Sequence, residues 1–183
     1  MTALGRLISD RRGVALVETA FAMILFMTMI LGVVEVGRFV LLNQKLDRAG
    51  VTVADLVSQG ETISANEVDS LMNAVEFVLQ PFAMDANGAV IVSSVAATGT
   101  EEPKVMWQRS GAGELSISSH LGPVDADAEL PAGVVVRAGE SLIIAEVFYE
   151  FRPLLFSDLG EISLYHTAVF RPRFGFLTEL ETE

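Results

Sequence analysis

Residues 11–40 read RRGVALVETAFAMILFMTMILGVVEVGRFV. A basic doublet and a glycine open the stretch, a long apolar run follows, and an acid stands at Glu18, only a few residues past the basic edge. Between positions 14 and 34 the run is interrupted only by Glu18, Thr19 and Thr28. At about 1.5 Å of rise per residue this segment makes roughly 30 Å of helix, the thickness of a bilayer's hydrocarbon core. Before it, Arg6, Arg11 and Arg12 stand against Asp10, a net +2, so within the chain's net charge of −12 the residues after 13 carry −14. The excess of arginine on the near side predicts a transmembrane helix over 14–38, a cytoplasmic basic leader over 1–13, and everything after about Arg38 on the far side. Arg11 and Arg12 then mark one membrane interface and Glu35 and Arg38 the other. The last two are three residues apart, on one helical face, where they pair or reach water.

The rest of the composition narrows the function classes. The chain has 183 residues, 51% of them hydrophobic, and a mean hydropathy of +0.47, with most of the apolar excess inside the membrane segment. That length fits one soluble domain with accessory segments. A strongly acidic head repels nucleic acid, so no nucleic-acid partner is expected. Cysteine is absent, which excludes disulfide frameworks, cysteine metal sites and thiol catalysis.

Three readings compete for the apolar segment. A cleaved secretory signal would have a shorter apolar core and a small-residue cleavage site, and no such site follows Leu31-Gly32-Val33-Val34-Glu35. A plain single-pass anchor tolerates Glu18 near the headgroups, since an acid in a membrane helix costs roughly 2.5–3.5 kcal/mol at the centre and less toward an interface. The anchor reading leaves the spacing unexplained: Arg11-Arg12-Gly13, four apolar residues, then Glu18. If the chain is cut after Gly13, Val14 carries a new ammonium and Glu18 becomes the fifth residue. In a stack of such helices the carboxylate of one subunit neutralises the terminus of its neighbour, as a buried charge requires. Gly13, with no side chain, lets a peptidase approach the backbone closely.

At these residues the sequence resembles the TadE-like pseudopilins of the Flp/Tad branch of type IV pili. The resemblance rests on the glycine, the four apolar residues and the glutamate, and on the tail Gly32-Val33-Val34-Glu35-Val36-Gly37-Arg38, and it covers residues 11–42. A weaker likeness to the family's carboxy-terminal hairpin covers residues 139–173. The resemblance implies cleavage between Gly13 and Val14 by a prepilin peptidase, and an assembly and recognition role for Glu18. It further implies partnership with other pilin-like subunits and the Tad assembly machinery. It places the helix in the bacterial inner membrane, with the head in the periplasm. Thr19 departs from the tyrosine that major Flp pilins carry at that position, and the chain is much longer than those subunits. Both differences point to a minor component. The alternative is an uncleaved, single-pass anchored module with a periplasmic binding or scaffold role.

The remaining pattern predicts an α+β fold: the long helix, a second helix and a small antiparallel sheet, with 39–60 as a helix extension and 61–183 as the head. Leu42, Leu46, Val53, Leu56 and Val57 fall at helical spacing, Gly50 and Val51-Thr52 suggest a bend, and Gly60 a stop. Ser64-Ala65-Asn66-Glu67 reads as a capping box, and Val68, Leu71, Met72, Val75, Val78 and Leu79 follow on one face before Pro81. Strands are expected over 89–96, 104–109, 134–136, 142–151 and 162–170, with a short one at 115–118 inside a long polar loop. In the longest strand Ile143, Ala145, Val147, Tyr149 and Phe151 share one face, with Glu146, Glu150 and Arg152 on the other. Pro153-Leu154-Leu155-Phe156 reads as a loop folded under the domain.

The chemistry of an enzyme is not expected. His166 falls inside a strand, and His120 lies in a serine-rich loop without a nucleophile frame. Residues 125–129 carry the acids of a calcium loop but have Leu130 in place of its glycine, and read as a solvated acidic loop. No catalytic residue, metal site or cofactor is expected.

Overall fold

A computed structural model describes residues 12–98, 102–154 and 160–181. Arg11, Leu155 and Phe156 lie outside the described residues, and Arg12 is described in its backbone alone. Helix α1 runs Arg12–Ser58. It is followed by α2 (Ala65–Asn73) and α3 (Val75–Leu79), then by β1 (Gly88–Ala97), β2 (Lys104–Gly111), β3 (Glu140–Phe151) and β4 (Ile162–Phe170). The strands form one antiparallel sheet in the order β2-β1-β3-β4. The α+β architecture of a long apolar helix, a short second helix and a small sheet is therefore the one expected.

The second half of α1 is the spine of the head. Leu42, Leu46, Ala49, Val53 and Val57 form a stripe that is fully buried against Ile143, Ala145, Val147, Tyr149 and Phe151 of β3 and Leu164 and Ala168 of β4. The expected alternation of β3 is present. Leu56 is exposed, and Ile162 is exposed at the start of β4. No break occurs at Gly50, where α1 continues unbroken. The glycine is instead the point of closest approach to the sheet: a Cβ there would stand 3.3 Å from Val147 Cγ2 and 3.7 Å from Ala168 Cβ. A residue that weakens a helix locally is retained because backbone must pack on strand. Gly60 likewise serves a close approach two residues beyond the helix end, since a Cβ on it would meet the Thr62 carbonyl oxygen at 2.7 Å.

The capping box forms as the sequence predicts. Ser64 Oγ accepts from the Glu67 amide, and Glu67 accepts from the Ser64 amide at 2.8 Å. That last bond holds the Glu67 carboxyl below its ordinary pKa. The single helix expected over 64–79 is split at Ala74, which ends α2 and begins α3. Val68, Met72, Val75 and Leu79 remain buried through the break. Lys45 Nζ donates to Val78 O at 2.8 Å, and Arg109 on β2 pairs with Asp69 on α2, so both short helices are tied to their neighbours.

Two expected strands are absent. Residues 115–118 and 134–136 belong to a long strap, 112–139, that crosses the sheet face opposite the helices. Leu121 and Val136 of the strap pack with Val95, Val105, Leu142 and Ile144 in a second core. The apolar residues that suggested a ladder are used to cover a sheet face. The strap also borders β2: Asp125 N donates to Val105 O at 2.8 Å, Val105 N to Ala126 O at 3.1 Å, and Ala128 N to Pro103 O at 2.7 Å. After β4 the chain returns to the helical side. Leu177 is buried, and its carbonyl accepts from Ser94 Oγ at 2.5 Å and Trp107 Nε1 at 2.9 Å. Of the Pro153-Leu154-Leu155-Phe156 loop, Pro153 is buried but Leu154 is exposed, against the expectation of burial.

Overpacking the close approach at residue 50 must strain α1 or the sheet. Gly50→Leu is expected to destabilise the head by about 1–3 kcal/mol, measured by denaturant unfolding of the detergent-solubilised chain through the emission of Trp107.

Candidate functional site

The first turns of α1 hold the residues singled out in the sequence. From Gly13 to Val34 the helix is exposed almost throughout, and it is the helix among the described residues that is long and apolar enough to cross a membrane. Its hydroxyls are satisfied along its own length: Thr19 Oγ1 donates to Ala15 O at 2.7 Å and Thr28 Oγ1 to Ile24 O at 2.9 Å. These bonds remove the cost of carrying polar groups into an apolar solvent. Glu18 has no such relief. It is exposed and makes no hydrogen bond or ion pair with any described residue. Gly13 lies in the first turn of α1, and nothing stands within 4 Å of where its side chain would be. Gly13, Val14 and Glu18 are thus presented together on an open helix surface.

At the other end of the exposed segment, Glu35 is treated in the opposite way. Its residue is 8% exposed. Both carboxylate oxygens accept from the backbone amide of Leu154, each at 3.1 Å, and Oε1 also accepts from Arg38 at 3.3 Å. The expected pairing of Glu35 with Arg38 is present, but the sequence did not reveal the amide, which comes from the turn after β3. The Arg38 guanidinium stands 5.9 Å from the Phe82 ring centre and 5.8 Å from that of Phe151, within range of a cation–π attraction. Phe151 in turn meets Phe39 edge to face at 5.5 Å. The joint between helix and head is therefore a charged pair enclosed by aromatic rings.

The two histidines are structural. His166 Nε2 lies 3.2 Å from Asn43 Oδ1 and links β4 to α1. The ring of His120 packs on Tyr165 and Phe148, with centres 4.4 and 5.2 Å away. Beside it is a group that the sequence reading placed on the outward side of β3: Glu146, which is fully buried. Its carboxylate accepts from Ser119 Oγ, from the His120 backbone amide at 3.0 Å and from the Tyr165 hydroxyl at 3.1 Å. Serine, histidine and acid meet here without the geometry of a hydrolytic triad, because the acid takes the serine hydroxyl directly. Instead the acid pins the strap to the sheet. Burial, and then the charge of Glu146, push the Tyr165 hydroxyl up to about 12. Asp125, Asp127 and Glu129 are exposed, and among the described residues no three His, Cys, Asp or Glu side chains converge on a point that would hold a metal ion.

Comparison with known proteins bears on the helix alone. Residues 13–54 match the family model described as TadE-like protein. The matched stretch contains Gly13, Val14, Glu18, Glu35 and Arg38, together with Gly50 and most of the stripe that packs on the sheet. The β3–β4 hairpin is formed, but it lies outside the match. No curated protein and no solved structure matches the chain.

Removing the Glu35 carboxylate frees the Leu154 amide and leaves Arg38 without its acid. Glu35→Ala should accelerate hydrogen exchange at Leu154 by an amount equal to roughly 1–3 kcal/mol of lost protection, with Trp107 emission unchanged. A second expectation concerns alkali. The hydroxyl of Tyr149 is also raised by burial, and it donates to Ala83 O at 3.1 Å. A pKa raised on folding means that the stability is whole below the ordinary tyrosine value of about 10 and is lost as pH climbs toward about 12. Tyrosinate absorbance of the native chain should therefore lag that of the urea-unfolded chain, and unfolding should set in across this window.

Proposed function

We propose that this chain is a minor, pilin-like subunit of a Tad-type pilus assembly system. The exposed half of α1 spans the inner membrane, the basic leader lies in the cytoplasm and the head lies in the periplasm. A prepilin peptidase cuts between Gly13 and Val14. The ammonium of Val14 on one subunit is then neutralised by Glu18 of a neighbouring pilin-like subunit, and the head offers its surface to the assembly machinery. The observation that carries this reading is Glu18: an acid without a partner among the described residues, on an open apolar helix, five residues past Gly13 and inside the stretch that matches the TadE-like family model. The location of the joint supports it. Glu35 gathers the head at a distance of about 33 Å along the helix from Gly13, close to the depth of a hydrocarbon core, so the apolar length and the folded head do not compete for the same residues.

Amino-terminal sequencing of the protein purified from its native membranes tests the reading. Val14 as first residue is the expected result. An intact Met1 start would instead support an uncleaved anchor with a scaffold role. Glu18→Ala should leave Trp107 emission and thermal unfolding of the head unchanged. It should cut surface pili to a small fraction of wild type, in line with the roughly 3–5 kcal/mol lost when one partner of a buried ion pair is removed. Wild-type piliation in that variant would refute the role given to Glu18.

A further inference from the structure

Leu154 is 70% exposed although it follows a buried proline and sits at the helix–head joint. Its height along the helix is fixed by its backbone amide, which bonds to both oxygens of Glu35. Side chains on a helix lean toward its amino terminus, which for Glu35 is the side of the apolar segment. The amide it captures is therefore held level with the last apolar turn. Nor does the apolar surface of the helix end at Glu35, because Val36, Val40 and Leu41 continue it on exposed positions. Charges at this level have partners in place, Glu35 with Arg38 and Arg152 with Glu161 at 2.5 Å, while Glu150 beside Glu161 has its carboxyl raised above the ordinary range and so is more readily neutral. An exposed leucine beside such charges, at the depth where an apolar helix leaves the bilayer, is suited to the boundary between headgroups and acyl chains.

We infer that the Pro153-Leu154 turn is a second membrane contact, a wedge that inserts Leu154 into the lipid boundary beside α1. This inference rests on the reading in which residues 14–34 span the bilayer. With α1 alone in the membrane, the helix and the head packed on it are free to tilt in any direction. With Leu154 also in lipid there are two contacts, and the side of the head that leans on the membrane surface is fixed. The amide that orients the turn belongs to the backbone, so the side chain of Leu154 is free for lipid and its replacement leaves the joint intact.

The chain contains no cysteine, so a single substitution introduces the only thiol for an environment-sensitive fluorophore. The full chain carrying Leu154→Cys is reconstituted in vesicles of phosphatidylethanolamine and phosphatidylglycerol, with or without a nitroxide near the top of the acyl chain. Val135→Cys is the control. It is equally exposed, at 69%, but lies in the strap near the start of β3, whereas Leu154 follows that strand's other end, about 36 Å away at strand rise. Ile24→Cys, in the middle of the exposed helix, reports the span itself through a nitroxide deep in the acyl chain. Expected are a blue-shifted emission at position 154 that the shallow nitroxide quenches, no quenching at 135, and deep quenching at 24. Quenching at 24 with none at 154 overturns the wedge and leaves the spanning helix standing. Equal quenching at 154 and 135 also overturns the wedge, since the head would then lie flat on the surface. No quenching at 24 overturns the spanning helix and the wedge together.

Discussion

The carboxylate of Glu35 and the amide of Leu154 join two parts of the chain 119 residues apart, and the way the head meets the apolar helix depends on that joint. Before it, α1 is a bare apolar rod. After it, the same helix is the spine of a folded head. A carboxylate that accepts an amide with both oxygens and an arginine besides makes charge-assisted hydrogen bonds, each worth about 1.5–3 kcal/mol. The rings of Phe82 and Phe151 stand against the Arg38 guanidinium, and the Glu35 carboxylate itself is largely withdrawn from water. The head is therefore held to the helix by its side chains as well as by its connection.

A helix that serves two solvents needs two patterns. Over residues 14–34 it is apolar on every face but for Glu18 and two threonines, the pattern of a helix that faces lipid. From Leu42 onward the apolar residues narrow to one stripe, with spacings of three and four, facing the sheet. Small residues then determine how near the helix lies. Gly50 and Ala49 on α1 face Ala145 and Ala168, and the backbone approach they allow brings Val147 against the helix axis. Without that approach, β3 and β4 would stand farther off and the turn after β3 would not reach Glu35. Packing at residue 50 and hydrogen bonding at residue 35 are parts of one geometry.

The elements dominated by local pattern were legible in the sequence. These include the apolar span, the Ser64–Glu67 capping box, the alternation of β3 and the pairing of Glu35 with Arg38. What the sequence did not disclose depends on partners distant in the chain. Glu146 alternates outward as a surface acid should, and nothing local indicates that Ser119, His120 and Tyr165 will enclose it. Val134 and Val136 have the look of a strand, yet the sheet face they cover satisfies them better than a ladder would. Gly50 suggested a bend because its cost to the helix is local, whereas its benefit comes from a strand about a hundred residues later. Leu154 was expected inside because loop hydrophobes usually are. Its exposure accords with the lipid contact proposed for it beside α1.

The treatment of acids within this one chain bears on Glu18. Glu35 and Glu146 are both withdrawn from water, and each is surrounded by donors from its own chain: an amide and a guanidinium for the first, a hydroxyl, an amide and a phenol for the second. Glu18 receives nothing comparable from the described residues. In the same helix, two nearby threonines close their hydroxyls onto backbone carbonyls, so polar groups in this segment are internally satisfied wherever their length allows. A carboxylate has no proton to give to a helical carbonyl, and Glu18 accepts no bond from any described amide. Beyond the described residues, the donors open to it are water or headgroups at the membrane edge, or a cation brought by a neighbour. Only the last is available once helices pack together away from both. In the proposed assembly, the requirement that is met within the chain at Glu35 is met between chains at Glu18, by the free amine of a cut terminus.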